Sequence, residues 1–224
     1  MLRRLPLTIL MALAAASTCF AEAGTMTLKD MIRRSEYVVL GKVSRVEVVD
    51  GVKLAEIEVG RTLKGDPGVT RLYYWASPQW MCDVSNAEVG EEGLYFLWNL
   101  EKELSKPSEA HLQFLEEARP FTQGARVYML EHSGRGRLRP KYIDGRGYLY
   151  THKEGDVIFP SSIKVVKRPD PQDPGLGLVL LEDVLSFITR QVSAKAQHNN
   201  GMHPTRLSVP LIESLRVSQL CAGG

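Results

Sequence analysis

YVVLGKVSRVEV, residues 37–48, and LAEIEVGRTL, residues 54–63, are two β-rich runs on either side of the pair Asp50-Gly51. The first run is rich in β-branched and aromatic residues, and the second alternates between apolar side chains and charged or small ones. An Asp-Gly pair between such runs is a strong hairpin signal, because both residues tolerate a positive φ. Regular alternation predicts a sheet with one buried and one wet face. The two runs therefore predict an antiparallel hairpin.

Shorter apolar runs continue this β pattern between turn-prone segments. After the turn cluster 64–68 we predict a strand over Val69–Trp75 and a loop over Ser77–Asn86. A second turn then leads into Leu94–Trp98, the most apolar strand of the chain. Short antiparallel strands at this spacing are typical of a small closed or half-closed β-barrel.

Three segments have the periodicity of amphipathic helices. The first is Thr27–Arg34, in which Thr27 is suited to cap the N-terminus. The others are Pro107–Ala118, whose proline suits a first helical turn, and Leu178–Val192. The apolar residues that we expect these two helices to bury are Leu112, Phe114 and Leu115 in one and Leu180, Leu181, Val184, Leu185 and Ile188 in the other.

The second half of the chain is again β-rich before it becomes polar. Turn signals separate five further predicted strands, over 126–131, 138–143, 147–151, 157–158 and 163–166. The expected organisation is a barrel domain with a β-rich extension over 24–168, a stiff Pro/Gly spacer over 169–177, a C-terminal helix over 178–196 and a disordered tail over 197–224.

The start of the chain has the layout of a secretory signal peptide. Two arginines precede an apolar run over 5–16, and small residues then lead to candidate cleavage sites after Ala21 and Ala23. The run is shorter than the roughly 20 apolar residues that span a bilayer. We therefore expect a periplasmic or secreted protein with no integral membrane span after cleavage. A retained anchor and a lipoprotein attached through Cys19 are the alternatives.

Charge gives little indication of a charged partner. The formal net charge of +2 is too small for a nucleic-acid or anionic-membrane partner, so we expect no nucleic acid. Basic residues do gather among glycines in one segment, where they alternate with Gly, Leu and Tyr. This pattern favours a solvated strand face or hairpin, and a bound anion or acidic partner is the other interpretation. The residues are Arg135, Arg137, Arg139, Lys141 and Arg146.

Cysteines and histidines predict no reactive centre. Of three cysteines, Cys19 belongs to the leader, so the fold cannot depend on a disulfide framework. A thiol nucleophile at Cys82 would need a cation or helix N-terminus to lower its pKa, and no local motif supplies one. The histidines lack the spacing of metal ligands. We therefore predict no catalytic site, cofactor or metal; the bases that a Cys82 enzyme would use are His111, His132 and His152.

Three pieces of the first half match the pattern of a known family. They are the opening strand 37–43, the strand and turn EIEVGRTLKG at 56–65, and a loop cysteine, Cys82, followed by VGEEGLYF at 89–96. In their order and spacing they resemble the netrin-like superfamily, the group that includes the tissue inhibitors of metalloproteinases, in its bacterial secreted form. The resemblance covers residues 35–98 and implies a five-stranded OB-like barrel.

The inhibitor mechanism does not transfer with this resemblance. Metalloproteinase inhibitors of the group chelate the zinc of their target through a cysteine at the mature N-terminus. The mature chain predicted here begins at Glu22 or Gly24, so no residue carries that mechanism. The partner cysteines that link the family's barrel are also missing, which leaves Cys82 alone.

A cluster of aromatic residues around the Pro78 loop is the other candidate feature. OB barrels bind ligands by stacking on such faces, but strand alternation points about half of these rings inward. Core packing is the favoured interpretation, and a ligand or partner surface is the alternative. That candidate surface comprises Tyr74, Trp75, Trp80, Arg135 and Arg137.

The sequence thus predicts a mainly β exported protein, an OB-like antiparallel β-barrel with a β-rich extension and a C-terminal helix. The function that we favour is non-catalytic binding of another envelope protein or a small ligand. An envelope protease inhibitor that acts without the chelating cysteine is the alternative. A thiol-dependent enzyme using Cys82 ranks last, because no set of acid, base and nucleophile is visible.

Overall fold

The computed structural model describes residues 26–78, 85–99, 109–131, 134–151, 157–167 and 177–200. The chain is mainly β, with a closed five-stranded barrel and helices that include a C-terminal one. The strands are β1 (Met26–Thr27), β2 (Tyr37–Val49), β3 (Val52–Lys64), β4 (Arg71–Trp75), β5 (Glu92–Asn99), β6 (Val127–Leu130), β7 (Arg137–Leu138), β8 (Pro140–Ile143), β9 (Arg146–Thr151), β10 (Val157–Ile158), β11 (Val165–Lys167) and β12 (Gly177–Leu180). The helices are α1 (Leu28–Arg34), α2 (Glu109–Thr122) and α3 (Leu181–Asn200). Over these ranges, no helix is both long enough and apolar enough to cross a bilayer.

The barrel closes in the strand order β2-β3-β4-β6-β5 and back to β2. Strand β2 pairs antiparallel with both β3 and β5, while β4 and β6 form one parallel pair, Tyr73↔Val127 and Tyr74↔Tyr128. This arrangement confirms the predicted OB-like barrel. The side chains that fill its interior are apolar or tyrosine, namely Val39, Val43, Ala55, Ile57, Leu72, Tyr74, Tyr95, Leu97, Tyr128 and Leu130.

The β2–β3 hairpin forms at the predicted turn. Asp50 and Gly51 have φ values of 47° and 75°, and Val49 pairs with Val52 across them. Positive φ at both central residues is the twist that tight hairpins require. The long strands shift register in three places, so extra residues interrupt the ladder and curve the sheet into a barrel.

Helix α1 is fixed at both ends. Thr27 caps its N-terminus as predicted, because its Oγ1 accepts a hydrogen bond from the Asp30 amide at 3.0 Å. At the other end the Lys64 ammonium donates to the carbonyl of Ile32 at 2.6 Å. A cation at the carbonyl end of a helix also complements the helix dipole. The end of β3 is thereby tied to α1.

A second core joins the barrel to the rest of the chain. The sheet β11-β12-β9-β8, helix α1 and helix α3 pack together against the outer side of β2 and β5. The β-rich extension therefore shares an apolar core with the barrel wall. Its buried members are Leu28, Met31, Ile32, Val38, Leu94, Phe96, Leu138, Leu149, Val157, Ile163, Val179, Leu181, Val184, Phe187 and Ile188.

The predicted boundaries of the C-terminal helix are wrong at both ends. Residues 177–180 form β12, which pairs with β9 and β11, and α3 runs from Leu181 to Asn200. A short apolar run that is buried on both faces cannot be told from a helix by periodicity alone. Leu180 is therefore a partly buried strand residue. Residues 169–176 and 201–224, most of the predicted spacer and tail, lie outside the described part of the chain.

The middle helix is shifted toward the C-terminus relative to the prediction. Helix α2 continues to Thr122, and its buried stripe is Phe114, Ala118 and Phe121. Leu112, expected to be buried, is 51% exposed. A stripe at i, i+4 and i+7 turns position 112 toward solvent. Pro107 lies outside the described residues.

The other predicted strands agree with the structure to within one or two residues at their ends. One run differs in kind, because the strand predicted over 138–143 is divided at Arg139 into β7 and β8. Strand β7 pairs with β5 of the barrel, whereas β8 belongs to the second sheet. The interruption at Arg139 thus lets the chain pass from one sheet to the other.

Candidate binding surface

The aromatic residues singled out in the sequence do not form one surface. Tyr74 is fully buried inside the barrel, so it presents no surface to a ligand. Trp75, on the opposite face of β4, is half-buried against Phe114 of α2, with ring centroids 4.5 Å apart. Trp80 lies outside the described residues. Strand alternation thus places Tyr74 and Trp75 on opposite faces of β4.

Arg137 is buried against Glu91, a partner that was not predicted from the sequence. Its side chain is 5% exposed, and its Nε lies 3.0 Å from Oε1 of Glu91, which is 9% exposed. Nη1 donates to the other carboxylate oxygen of Glu91 at 3.2 Å. The acidic turn VGEEG, residues 89–93, was the only signal for this partner. Arg135 is partly exposed nearby in the chain.

The ion cluster of Glu91, Arg137 and Arg139 lies beside the interior tyrosines. Arg139 also contacts Glu91, and the Tyr95 hydroxyl donates to the Glu91 carbonyl at 3.1 Å. Arg137 acts electrostatically on the Tyr74 hydroxyl. The structure therefore brings Tyr74 and Arg137 together, with Arg137 of β7 paired to Glu91, the residue before β5.

The interior tyrosines stay protonated at neutral pH. Loss of hydration on burial raises the pKa of Tyr74 to about 12, and the nearby Arg137 opposes that rise. Burial also raises the pKa values of Tyr95 and Tyr128. Within the described chain, the Tyr74 hydroxyl lacks a hydrogen bond of good geometry. The Tyr74 side chain therefore acts as a packing group, whereas the Tyr95 hydroxyl is hydrogen-bonded to the Glu91 carbonyl.

Tyr74→Phe is expected to change the alkaline limit of stability. The folded pKa of Tyr74 lies above the unfolded value of about 10, so the unfolded state releases its proton first as pH rises. The contribution of protonated Tyr74 to the free energy of unfolding is fully present below pH 10. It is lost as the pH rises, and the free energy of unfolding falls by up to about 2–3 kcal/mol as the pH approaches 12. Urea unfolding should show wild type and variant similar at pH 8 and the variant gaining relative stability above pH 10. Parallel pH curves would contradict this assignment.

A groove lies on the outside of the barrel, between it and the second sheet. Its volume is about 350 Å³. We call it the glycine groove, because Gly41, Gly60 and Gly93 contribute to its lining from three neighbouring barrel strands. The other lining residues are Leu40, Lys42, Glu58, Val59, Glu92, Pro140, Tyr142 and Leu181.

Two of the three glycines are required by packing. A Cβ on Gly41 would lie 2.5 Å from Cγ2 of Ile57, and one on Gly93 would lie 2.9 Å from the ring of Tyr95. Gly60 differs, because a Cβ there would meet only the carbonyl oxygen of Leu40 at 3.6 Å, an ordinary contact. Packing therefore does not account for the glycine at position 60.

Charged side chains form a row across the groove. Lys42 on β2 pairs in register with Glu58 on β3 and with Glu92 on β5, so a cation stands between two carboxylates. All three are exposed, and within the described chain they form no ion pair or hydrogen bond with a side chain. Tyr142, 62% exposed, lines the groove from β8.

The described residues contain no candidate metal site, and they do not include the cysteine of the predicted thiol alternative. In those ranges no three His, Cys, Asp or Glu side chains are placed to hold a metal ion. Cys82, His132 and His152 lie outside the described residues, and the His111 side chain is likewise not described. The hypothesis of a Cys82 nucleophile therefore stays a prediction.

Comparison with known proteins adds no family assignment. No family model matches the chain, and no curated protein matches it.

Proposed function

We propose that this chain is an exported, non-catalytic binding protein of the periplasm or cell envelope, and that its ligand occupies the glycine groove. The observation that carries the proposal is the groove itself, whose volume of about 350 Å³ lies in the range of small-molecule sites. It combines an apolar lining with a few charged groups, as such sites do.

A rigid support favours binding at this place. The groove lies on β2, β3 and β5 of the closed barrel, and β3 and β5 both pair with β2 between them. Sites on regular strands are held more accurately than sites on loops. The lining side chains offer hydrogen bonds and one aromatic ring, and the buried ion cluster beyond them is already paired. Recognition fits this arrangement better than proton transfer.

A relationship to the netrin-like superfamily belongs to the same proposal. Of the segments that carry the resemblance, 37–43 falls in β2, 56–65 covers most of β3 and the following turn residue, and 89–96 covers the turn before β5 and its first residues, while Cys82 lies outside the described residues. These are neighbouring strands of the five-stranded barrel that the resemblance implies. The proposed relationship concerns the barrel strands, and the groove is formed with further elements from the second half of the chain.

Export is tested by the N-terminus of the protein from a bacterial host. We expect the mature chain in the periplasmic fraction to begin at Glu22 or Gly24, because signal peptidase cuts after small residues. The control is the variant Leu10→Arg/Leu13→Arg, which interrupts the apolar run and should remain uncleaved in the cytosol. Wild-type protein that stays cytosolic and begins at Met1 would overturn this part of the proposal.

A further inference from the structure

We propose that the ligand of the glycine groove is a neutral saccharide. This inference rests on the binding function proposed above and specifies its substrate class. Three features of the groove carry it, namely an open floor, a row of mixed charges and an exposed aromatic ring. Each of them matches one property of a sugar ring.

The open floor comes from Gly60. Leu40 and Gly41 pair with Arg61 and Val59, so Gly60 is the extra residue of a bulge in β3. Its φ lies outside the left-handed region, and a Cβ would fit, so neither backbone conformation nor packing demands glycine. Glycine inside a strand weakens it and often marks a bulge or a place where a ligand approaches the backbone closely. Because the bulge at Gly60 has a backbone conformation and space that would accept a side chain, the close approach of a ligand is the reason that we infer for the glycine. A ring can therefore lie directly on the strand at this position.

The charged row favours a neutral ligand rich in hydroxyl groups. Glu58, Lys42 and Glu92 present acceptor, donor and acceptor groups on three successive strands, which lie about 4.8 Å apart. Hydroxyl groups both donate and accept, so they can satisfy all three. The row has one positive and two negative charges, which gives no attraction for an anion. The central lysine also weakens the attraction for a cation.

The aromatic ring supplies a stacking face. Tyr142 is 62% exposed, and its ring lies beside its cross-strand partner Gly147, where an added Cβ would be 3.4 Å from the ring. Its own sheet thus supports the ring without covering it. A tyrosine ring combines an apolar face with a polar tip, which matches the C–H face and hydroxyl edge of a sugar.

A peptide strand fits the groove less well. Peptides that add to a sheet need an unpaired strand edge. Strand β2 is paired on both sides along the floor, but β3 pairs with β4 only as far as Glu58 and has an open edge beyond it. That stretch carries extra residues at Gly60 and Leu63, and such bulges interrupt the ladder that an added strand would extend. The other edge strand at the groove is β8, which begins at Pro140, a residue without a backbone N–H. A ring that stacks and forms side-chain hydrogen bonds meets no such obstacle.

The test measures binding by the purified protein to two libraries. One is an array of short chito-, cello- and malto-oligosaccharides printed with acidic glycans, and the other is a library of random peptides. Ligands found are measured by calorimetry with wild type, Gly60→Val, Tyr142→Ala and the control Leu112→Ala, an exposed apolar residue on α2. Urea unfolding confirms that each variant is folded, and Gly60→Ala reports whether position 60 accepts a side chain without loss of stability.

The expected result is binding of a neutral oligosaccharide that weakens by at least about tenfold in Gly60→Val and Tyr142→Ala and is unchanged in Leu112→Ala. Binding of a peptide or an acidic glycan alone, with the same dependence on Gly60, would overturn the saccharide assignment and leave the binding function intact. If no ligand of either library depends on Gly60 and Tyr142, both the saccharide assignment and the groove's function are overturned.

Discussion

Replacing Glu91 with alanine is expected to lower the free energy of unfolding by about 3–5 kcal/mol. Its carboxylate neutralises Arg137, whose side chain is 5% exposed and whose Nε lies 3.0 Å away. Removing one partner of a buried pair leaves the other charge buried and unpaired, which costs more than the pair itself contributes. Arg139 also contacts Glu91, but Arg139 is largely exposed, so the loss of this second contact should change the free energy of unfolding little. Urea unfolding at neutral pH measures the loss.

Two variants separate this explanation from a general weakness of the turn. Glu91→Leu/Arg137→Met replaces the ion pair with apolar side chains and should return to within about 1 kcal/mol of wild type. Glu88→Ala removes an exposed carboxylate from the same turn and should change stability by less than about 0.5 kcal/mol. If Glu91→Ala also falls within that limit, Glu91 does not hold Arg137 in the folded protein.

Phe114→Ala is expected to lower the free energy of unfolding by a similar amount, about 3–5 kcal/mol. Phe114 is 3% exposed and attaches helix α2 to the outer face of β4, where its ring centroid lies 4.5 Å from that of Trp75. Around it pack Leu54, Tyr73, Ala118, Phe121 and Val127. Truncation leaves a cavity among them, because close-packed neighbours relax only in part.

The matched control lies two residues away on the same helix. Leu112→Ala removes an exposed leucine and should change stability by less than about 0.5 kcal/mol, measured by the same urea unfolding. Tryptophan emission gives a second reading, since the loss of Phe114 uncovers Trp75 and should shift the emission to longer wavelength. Equal effects of the two substitutions would contradict the orientation of α2 found here.

Local signals in the sequence predicted the local structure well. The Asp50-Gly51 hairpin and the Thr27 cap formed as expected, because each depends on residues within a few positions of one another. The barrel itself followed from the spacing of strands and turns. The strand at 177–180 was predicted as helix, because its apolar run has no period that distinguishes the two. Residues 177–180 form a strand because they pair with β9 and β11, which lie elsewhere in the sequence.

The candidate binding surface depended on contacts between distant segments, which the sequence does not reveal. Arg137 and Glu91 are 46 positions apart, and the groove forms where β8 and α3 meet three barrel strands. Alternation predicted that only some of the aromatic residues face inward, but not that Tyr74 would be among them. Gly60 was not predicted as a site residue, because a glycine at a bulge and one that opens a groove look alike in a sequence.

Mapping of amide chemical shifts in a ¹⁵N-labelled sample would show whether this protein binds its ligand in the glycine groove. Neutral oligosaccharides are added stepwise, and shifts are followed in wild type and Gly60→Val. We predict that the largest shifts in wild type fall on the amides of Gly41, Gly60, Gly93 and Tyr142, and that Gly60→Val needs at least about tenfold more ligand to produce the corresponding shifts. Shifts centred on Trp75 and helix α2, or no shifts with any ligand from either library, would contradict the account.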